Sequence, residues 1–72
     1  MEPRPGELPL TGAEVQVAVA VADGLSNRET ADRLFISVKT VEFHLGNIFR
    51  KLGVRNRRQL AARALADPIL QP

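Results

Sequence analysis

The sequence contains no cysteine and a single histidine, His44. Without cysteine the chain forms neither a disulfide framework nor a zinc site with thiolate ligands, and one histidine leaves little for other metal centres or a catalytic triad. The longest apolar run, Val17 to Ala22, is too short to cross a bilayer, and the first residues lack the pattern of a signal peptide. We therefore expect a cytoplasmic protein that needs no metal or other cofactor.

The 72 residues allow at most one domain, and its net charge is only +2. The charges are unevenly distributed, because nine basic and three acidic residues lie between positions 28 and 63, whereas the rest of the chain is acidic. A basic region of this kind suits a polyanionic partner, although a solvated surface without a partner would have the same composition. No glycine-rich phosphate loop, carboxylate pair or nucleophile–base set is present, so we do not expect an enzyme.

Helix-capping signals divide the chain into four predicted helices. Three capping boxes and one single cap mark their starts, at Thr11 with Glu14, Ser26 with Glu29, Ser37, and Asn56 with Gln59. Gly24 and Gly53 suit the left-handed conformation that ends a helix. The prediction is an all-α, compact four-helix domain at residues 10–66, preceded by a disordered lead at residues 1–9 and followed by a C-terminal tail at residues 67–72.

The predicted second and third helices are separated by a turn of three residues, which is typical of a helix-turn-helix motif. In that motif the second of the two helices enters the major groove of DNA. The third helix, from about Val38 to Leu52, has a core stripe of Val41, Leu45, Ile48 and Leu52. A polar stripe contains Thr40, His44, Asn47 and Lys51, and a third stripe contains Lys39, Phe43, Gly46 and Arg50, with Glu42 near its start. These side chains favour a DNA recognition helix, although a merely solvated helix also presents a polar flank.

Three runs of the sequence have the pattern of a known family. They are L-T-G-A-E from Leu10, G-L-S-N-R-E-T-A-D-R-L from Gly24, and I-S-V-K-T-V-E-F-H-L-G-N-I-F-R-K-L-G-V from Ile36. Together they closely resemble the LuxR-type C-terminal helix-turn-helix DNA-binding domain, over residues from Leu10 to about Leu65. The resemblance implies four helices, a third helix that reads the major groove, and transcriptional regulation, usually by dimers on two half-sites.

The resemblance also implies roles for individual residues. Base-facing roles fall on Glu42, Phe43 and Gly46. Contacts with the DNA backbone fall on Lys39, Thr40, His44, Asn47 and Lys51, with support from Ser26, Asn27 and Arg57. A dimer interface on the fourth helix falls on Arg57, Ala61, Ala62, Ala64 and Leu65, although alanine is also simply a good helix former. The partners implied are double-stranded DNA, a second copy of the chain, an upstream regulatory domain and RNA polymerase.

Four residues depart from the family pattern, and two of them, Val15 and Val19, are apolar where the family is often polar. Gly46 stands where the family often has a long polar or basic residue, so we expect looser sequence reading there, and Thr30 replaces a usual isoleucine or valine. Two alternatives stay open: the fourth region of a sigma factor, and a protein-interaction or dimerisation module with weak or lost DNA binding. The S-N-x-E and T-V-E-x-H runs argue against the sigma factor, whereas Gly46 and the hydrophobic Phe43 keep the interaction module open. Salt dependence distinguishes a DNA-binding domain from a protein-interaction module, because phosphate contacts weaken steeply with salt.

Overall fold

The computed structural model describes residues 9–67 and residue 70. These residues form four α-helices and no strand: α1 at Gly12–Ala22, α2 at Asn27–Leu34, α3 at Val38–Leu52 and α4 at Arg57–Ala66. The predicted all-α class and the order of the four helices are confirmed. The disordered lead predicted at residues 1–9 lies, except for Pro9, outside the described residues. None of the helices described is long and apolar enough to cross a membrane.

Reciprocal hydrogen bonds begin α1 and α2, as the capping signals predicted. Thr11 Oγ1 accepts from the backbone N–H of Glu14 at 3.2 Å, and Glu14 Oε1 accepts from the backbone N–H of Thr11 at 2.8 Å. Ser26 and Glu29 form the same pair of bonds at 3.0 and 2.9 Å. Each box satisfies two backbone donors near the helix start and so fixes where the helix begins.

The start of α4 differs from the prediction of a third capping box. Asn56 Oδ1 accepts the backbone N–H of Gln59 at 2.9 Å, as expected. Gln59 Oε1, however, accepts the backbone N–H of Arg55 at 2.7 Å, and not the N–H of Asn56. Asn56 is therefore a one-sided cap, because the long glutamine side chain reaches one residue further back and ties down the loop that leads into α4.

Left-handed backbone conformations end three of the helices. Gly24 (φ 97°) follows α1 and Gly53 (φ 69°) follows α3, as expected for glycine. After α3 the N–H of Val54 donates to the carbonyl of Phe49 at 3.0 Å, which is the long bond of a Schellman motif. Phe35 ends α2 in the same conformation (φ 59°) while its side chain is 94% exposed. A side chain strains the left-handed backbone by about 1–2 kcal/mol, so this turn is held by its surroundings.

The hydrophobic core lies where α1 packs against α2, α3 and α4, and α2 also packs against α3. Its buried residues are Val17, Ala18, Val21, Ala31, Val41, Leu45, Ile48, Leu52, Leu60, Ala64 and Leu70. The predicted core stripe of α3 is confirmed. Leu70 belongs to the segment predicted as a C-terminal tail, yet it is buried in the core, so this residue is part of the folded domain. The remaining residues of that segment, except Asp67, lie outside the described residues.

Candidate nucleic-acid interface

The solvent side of α3 lies opposite its core stripe. An α-helix turns by about 100° per residue, so the positions furthest from Val41, Leu45, Ile48 and Leu52 are 39, 43, 46 and 50. The side of α3 formed by Lys39, Phe43, Gly46 and Arg50 is exposed at all four residues, and we call these four residues the outer ridge. The outer ridge therefore has a cation at each end and an apolar centre.

The three residues expected to face the bases lie on or beside the outer ridge. Phe43 is 68% exposed, and its ring lies edge-on to His44 with 5.9 Å between ring centroids. Apart from its two chain neighbours and the adjoining backbone of α3, no atom lies within 4 Å of the position that a Cβ on Gly46 would occupy. Glu42 is exposed next to the ridge. The structure thus brings the three residues together on one accessible surface of α3.

The residues expected to contact the DNA backbone have two kinds of environment. Lys39 is exposed and has no hydrogen-bond or ionic partner among the residues that the structure describes. Three others are half-buried between the ridge and the core: Thr40, His44 and Asn47. The hydroxyl of Thr40 hydrogen-bonds with that of Ser37 at 2.9 Å, and Asn47 Oδ1 accepts from Arg50 Nη2 at 3.0 Å. The charge of Lys39 is therefore available to a phosphate, whereas these two polar groups are partly occupied within α3.

Lys51, the fifth of these residues, bonds to α1. Its Nζ donates to Glu14 Oε1 at 2.6 Å, and only 19% of the Lys51 side chain and 5% of the Glu14 side chain are exposed. The ion pair joins the last turn of α3 to the first turn of α1. Its lysine charge is neutralised within the fold, so a DNA phosphate would have to compete with a buried carboxylate for this ammonium group.

The environment of Glu14 keeps its carboxyl group ionised. Burial disfavours the charged form and alone would raise the pKa of Glu14. The hydrogen bond from Lys51, together with the bonds from Thr11, favours the carboxylate, and the sum lowers the pKa below its ordinary value of 4.5. The ion pair between α1 and α3 is therefore complete at neutral pH.

The three supporting residues lie together where the starts of α2 and α4 meet. Arg57 donates through Nη1 to Asn27 Oδ1 and through Nη2 to the backbone carbonyl of Leu25, the latter at 2.6 Å. Ser26 caps α2, and its backbone and side-chain hydrogen bonds lower the pKa of Glu29. These bonds position the N-terminus of α2, so part of the hydrogen-bonding capacity of Asn27 and Arg57 serves the fold itself.

The residues assigned to a dimer interface do not share one exposed face. Ala64 is buried in the core and Ala61 is half-buried, whereas Ala62 is exposed and Leu65 is 81% exposed. Beside Leu65 lies a groove between α1 and α4, lined by Val19, Ala22, Asp23, Ala61, Ala64, Leu65 and Leu70. Ala64 is only 5% exposed but still lines this groove. The dimer-interface assignment stays a prediction.

Two features near the site were not predicted from the sequence. Glu14 and Lys51 are 37 residues apart, and the capping box already accounted for the glutamate, so no local signal indicated a second partner. The hydroxyl of Thr30 is fully buried and has no hydrogen-bond partner among the described residues. The sequence did indicate a polar residue at a usually aliphatic position, Thr30. It did not show that the hydroxyl of Thr30 would lack a hydrogen-bond partner.

Comparisons with known proteins show which family the sequence matches. Residues 8–64 match the family described as bacterial regulatory proteins, luxR family. The chain is also 39% identical over 62 residues to the oxygen regulatory protein NreC of Staphylococcus aureus strains JH9, JH1 and USA300. These alignments cover 86% of the chain and 29% of each relative, so the chain spans less than a third of the length of these relatives.

Proposed function

We propose how this chain binds DNA, given that it belongs to the luxR family of bacterial regulatory proteins and is a DNA-binding domain for transcription regulation. In this mode α3 lies in the major groove, with Glu42, Phe43 and Gly46 toward the base pairs and Lys39 toward a phosphate. The flank of Thr40, His44 and Asn47 faces the phosphate backbone. The observation that carries the proposal is the outer ridge itself, an exposed face of a helix whose opposite side is buried in the core.

The electrostatics of α3 support the proposed orientation. Lys39 lies in the first turn, where the partial positive charge of the helix N-terminus adds to its own charge. It has no anionic partner among the described residues, so a phosphate would replace only water. Each phosphate neutralised in this way releases counterions, which gives affinity for any DNA sequence and makes that affinity depend on salt.

The assembly around this domain is also a proposal. The relatives are more than three times as long as the aligned part, so we propose that the chain acts as the effector domain of a longer regulator, joined to an upstream regulatory domain. A homodimer with Ala62 and Leu65 at its contact would place two α3 helices on paired half-sites and gain affinity by avidity. RNA polymerase is the proposed further partner, and the proposed role is binding in the cytoplasm, without catalysis.

An NMR titration of the isotope-labelled chain with a short duplex of random sequence tests the binding mode. At low salt we expect amide shift changes concentrated between Lys39 and Lys51, and we expect these changes to diminish as salt rises, because phosphate contacts release counterions. Changes confined to α4, or no changes even at low salt, would contradict α3 as the DNA-binding helix. Such results would favour the protein-interaction module, for which the exposed ring of Phe43 is the supporting observation.

The two lysines of α3 provide a matched pair of variants. Lys39→Met should reduce the slope of log affinity against log salt concentration by about 0.9, the value for one phosphate contact on duplex DNA. Lys51→Met should leave that slope unchanged, because Glu14 already neutralises its charge. Both variants are compared at a temperature where circular dichroism shows them folded. Equal changes of slope in the two variants would contradict the separate roles assigned to these lysines.

A further inference from the structure

The centre of the outer ridge is apolar at the part of α3 that the proposed function places against the base pairs. Phe43 and Gly46 are three residues apart on the helix, so their surfaces adjoin. Lys39 and Arg50 occupy the two ends of the ridge. Neither Phe43 nor Gly46 has a side-chain hydrogen-bond donor or acceptor, so this centre cannot read the polar edge of a base by hydrogen bonding.

Folding of the domain does not account for either residue. Phe43 is 68% exposed and therefore adds little to the core. Gly46 has open space around the position of a Cβ, and its backbone is not left-handed, unlike that of Gly24 and Gly53. A larger residue would fit at position 46 and would favour the helix. The bare apolar surface thus points to a contact outside the folded domain.

We propose that α3 recognises the C5-methyl group of a pyrimidine base, in thymine or in 5-methylcytosine, through the ring of Phe43 and the exposed backbone of Gly46. This inference rests on the proposed function. The C5-methyl group is the largest apolar group on the base edges of the major groove, whose nitrogen and oxygen groups are hydrogen-bond donors and acceptors. A ring against those polar atoms would leave them without a partner, whereas a ring against a methyl group buries apolar surface on both sides. The missing side chain at position 46 lets the helix backbone approach the methyl group closely.

Deoxyuridine provides the direct test, because it differs from thymidine only by the absence of the C5-methyl group. The probe is the tightest-binding duplex selected by the 72-residue chain from a random-sequence library. Each thymine of this duplex is then replaced in turn by deoxyuridine, and the affinities are measured by fluorescence anisotropy. At the positions that face Phe43 and Gly46 we expect about fourfold weaker binding, the effect of removing one methyl-sized apolar group from a buried contact.

A second pair of duplexes distinguishes the two sources of the methyl group. At each position sensitive to deoxyuridine, the base pair is changed to cytosine with guanine, with and without methylation at C5 of the cytosine. Tighter binding of the methylated duplex would show that the methyl group is recognised in either base. Equal binding of the two would restrict the recognised base to thymine.

Protein variants assign the effect to the outer ridge. Phe43→Ala should weaken binding to the thymine duplex and make the thymine and deoxyuridine affinities equal. Phe35→Ala is the matched control, because it removes another exposed ring that lies outside the ridge, and it should retain the fourfold difference. Gly46→Ala should raise Tm, since alanine favours the helix, and yet weaken binding to the thymine duplex. Unchanged affinity of this stabilised variant would exclude Gly46 from the contact.

The inference and the proposed function fail in distinguishable ways. Equal affinities for the thymine and deoxyuridine duplexes at every position would overturn methyl recognition while DNA binding through α3 stands. Salt-sensitive binding without enrichment of any sequence would also overturn methyl recognition and leave a non-specific DNA-binding domain. If no duplex binds even at low salt, the proposed function fails and the inference fails with it.

Discussion

Replacing Lys51 by methionine should lower the free energy of unfolding by about 2–3 kcal/mol at neutral pH. Methionine keeps much of the apolar length of the side chain but removes the ammonium group that bonds to Glu14. The carboxylate, only 5% exposed, is then left with Thr11 as its hydrogen-bond partner. Removing one partner of a fully buried ion pair costs about 3–5 kcal/mol, and we expect less here because 19% of the Lys51 side chain meets solvent.

The expected loss is large for a domain of this size. At about 0.05–0.15 kcal/mol per residue, a 72-residue chain unfolds with a free energy of about 4–11 kcal/mol. Since 1 kcal/mol corresponds to about 4–8 °C in Tm for small domains, the variant should melt about 8–24 °C lower. Urea denaturation followed by far-UV circular dichroism measures the change, because the described part of the chain is mainly helical and the sequence has no tryptophan.

The pH dependence identifies the ion pair as the cause. The folded-state pKa of Glu14 lies below its ordinary value of 4.5, so the stability from the pair is fully present above about pH 4.5. It is lost as the pH falls through the folded-state pKa. In the Lys51→Met variant burial is no longer opposed by the cation, so the pKa of Glu14 rises and the carboxyl group protonates at a higher pH. The difference in unfolding free energy between the two proteins should therefore shrink in acid.

Lys39→Met is the control, because it removes an exposed lysine of the same helix and should change the free energy of unfolding by less than about 0.5 kcal/mol. Combining Glu14→Gln with Lys51→Met completes a double-mutant cycle, in which the coupling energy should account for most of the effect. If Lys51→Met lowers the free energy of unfolding no more than the control does, the ion pair does not hold α3 to α1. The same conclusion follows if the variant remains less stable than the unchanged protein by the same amount in acid.

Three further substitutions test the packing and the turns by urea denaturation. Thr30→Val should add about 1 kcal/mol to the free energy of unfolding, because it removes a buried hydroxyl without a partner. Thr40→Val removes a hydroxyl that is bonded to Ser37, so it should not raise the free energy of unfolding. An equal gain from both variants would contradict the unpaired hydroxyl of Thr30 as the cause. Phe35→Gly should stabilise by about 1 kcal/mol because glycine relieves the left-handed backbone, whereas Phe35→Ala keeps the strain; no difference between these two would contradict a strained turn. Leu70→Ala should destabilise by about 2–4 kcal/mol, and a change near zero would show that the segment after α4 is not part of the core.

The helix boundaries were predictable from the sequence because caps act locally. Thr11 with Glu14 and Ser26 with Glu29 each place a donor and an acceptor three residues apart, and the structure forms both boxes. The same spacing at Gln59 failed because its side chain has a second backbone N–H within reach, that of Arg55. The spacing of capping residues therefore predicts where a helix begins. It does not always predict which backbone N–H the glutamate or glutamine side chain will accept.

Contacts between distant residues were not predictable in this way. The bond from Arg57 to Asn27 spans 30 residues, and the ion pair of Glu14 with Lys51 spans 37. Both depend on how the helices pack, which no periodicity in a single helix reveals. The consequence for the site is that two cations assigned to DNA by sequence pattern, Lys51 and Arg57, have partners within the protein. Lys39 differs from them because it is exposed and has no hydrogen-bond or ionic partner among the described residues.

In the proposed binding mode, this division of the cations separates the residues that position α3 from those that contact DNA. Salt screens exposed charges over distances of about 10 Å at 0.1 M, so the attraction of Lys39 to a phosphate weakens as salt rises. A largely buried pair such as Glu14 with Lys51 is screened much less. Rising salt should therefore release DNA while α3 keeps its place against α1, because the bond that orients the helix does not draw on the charges that hold the duplex.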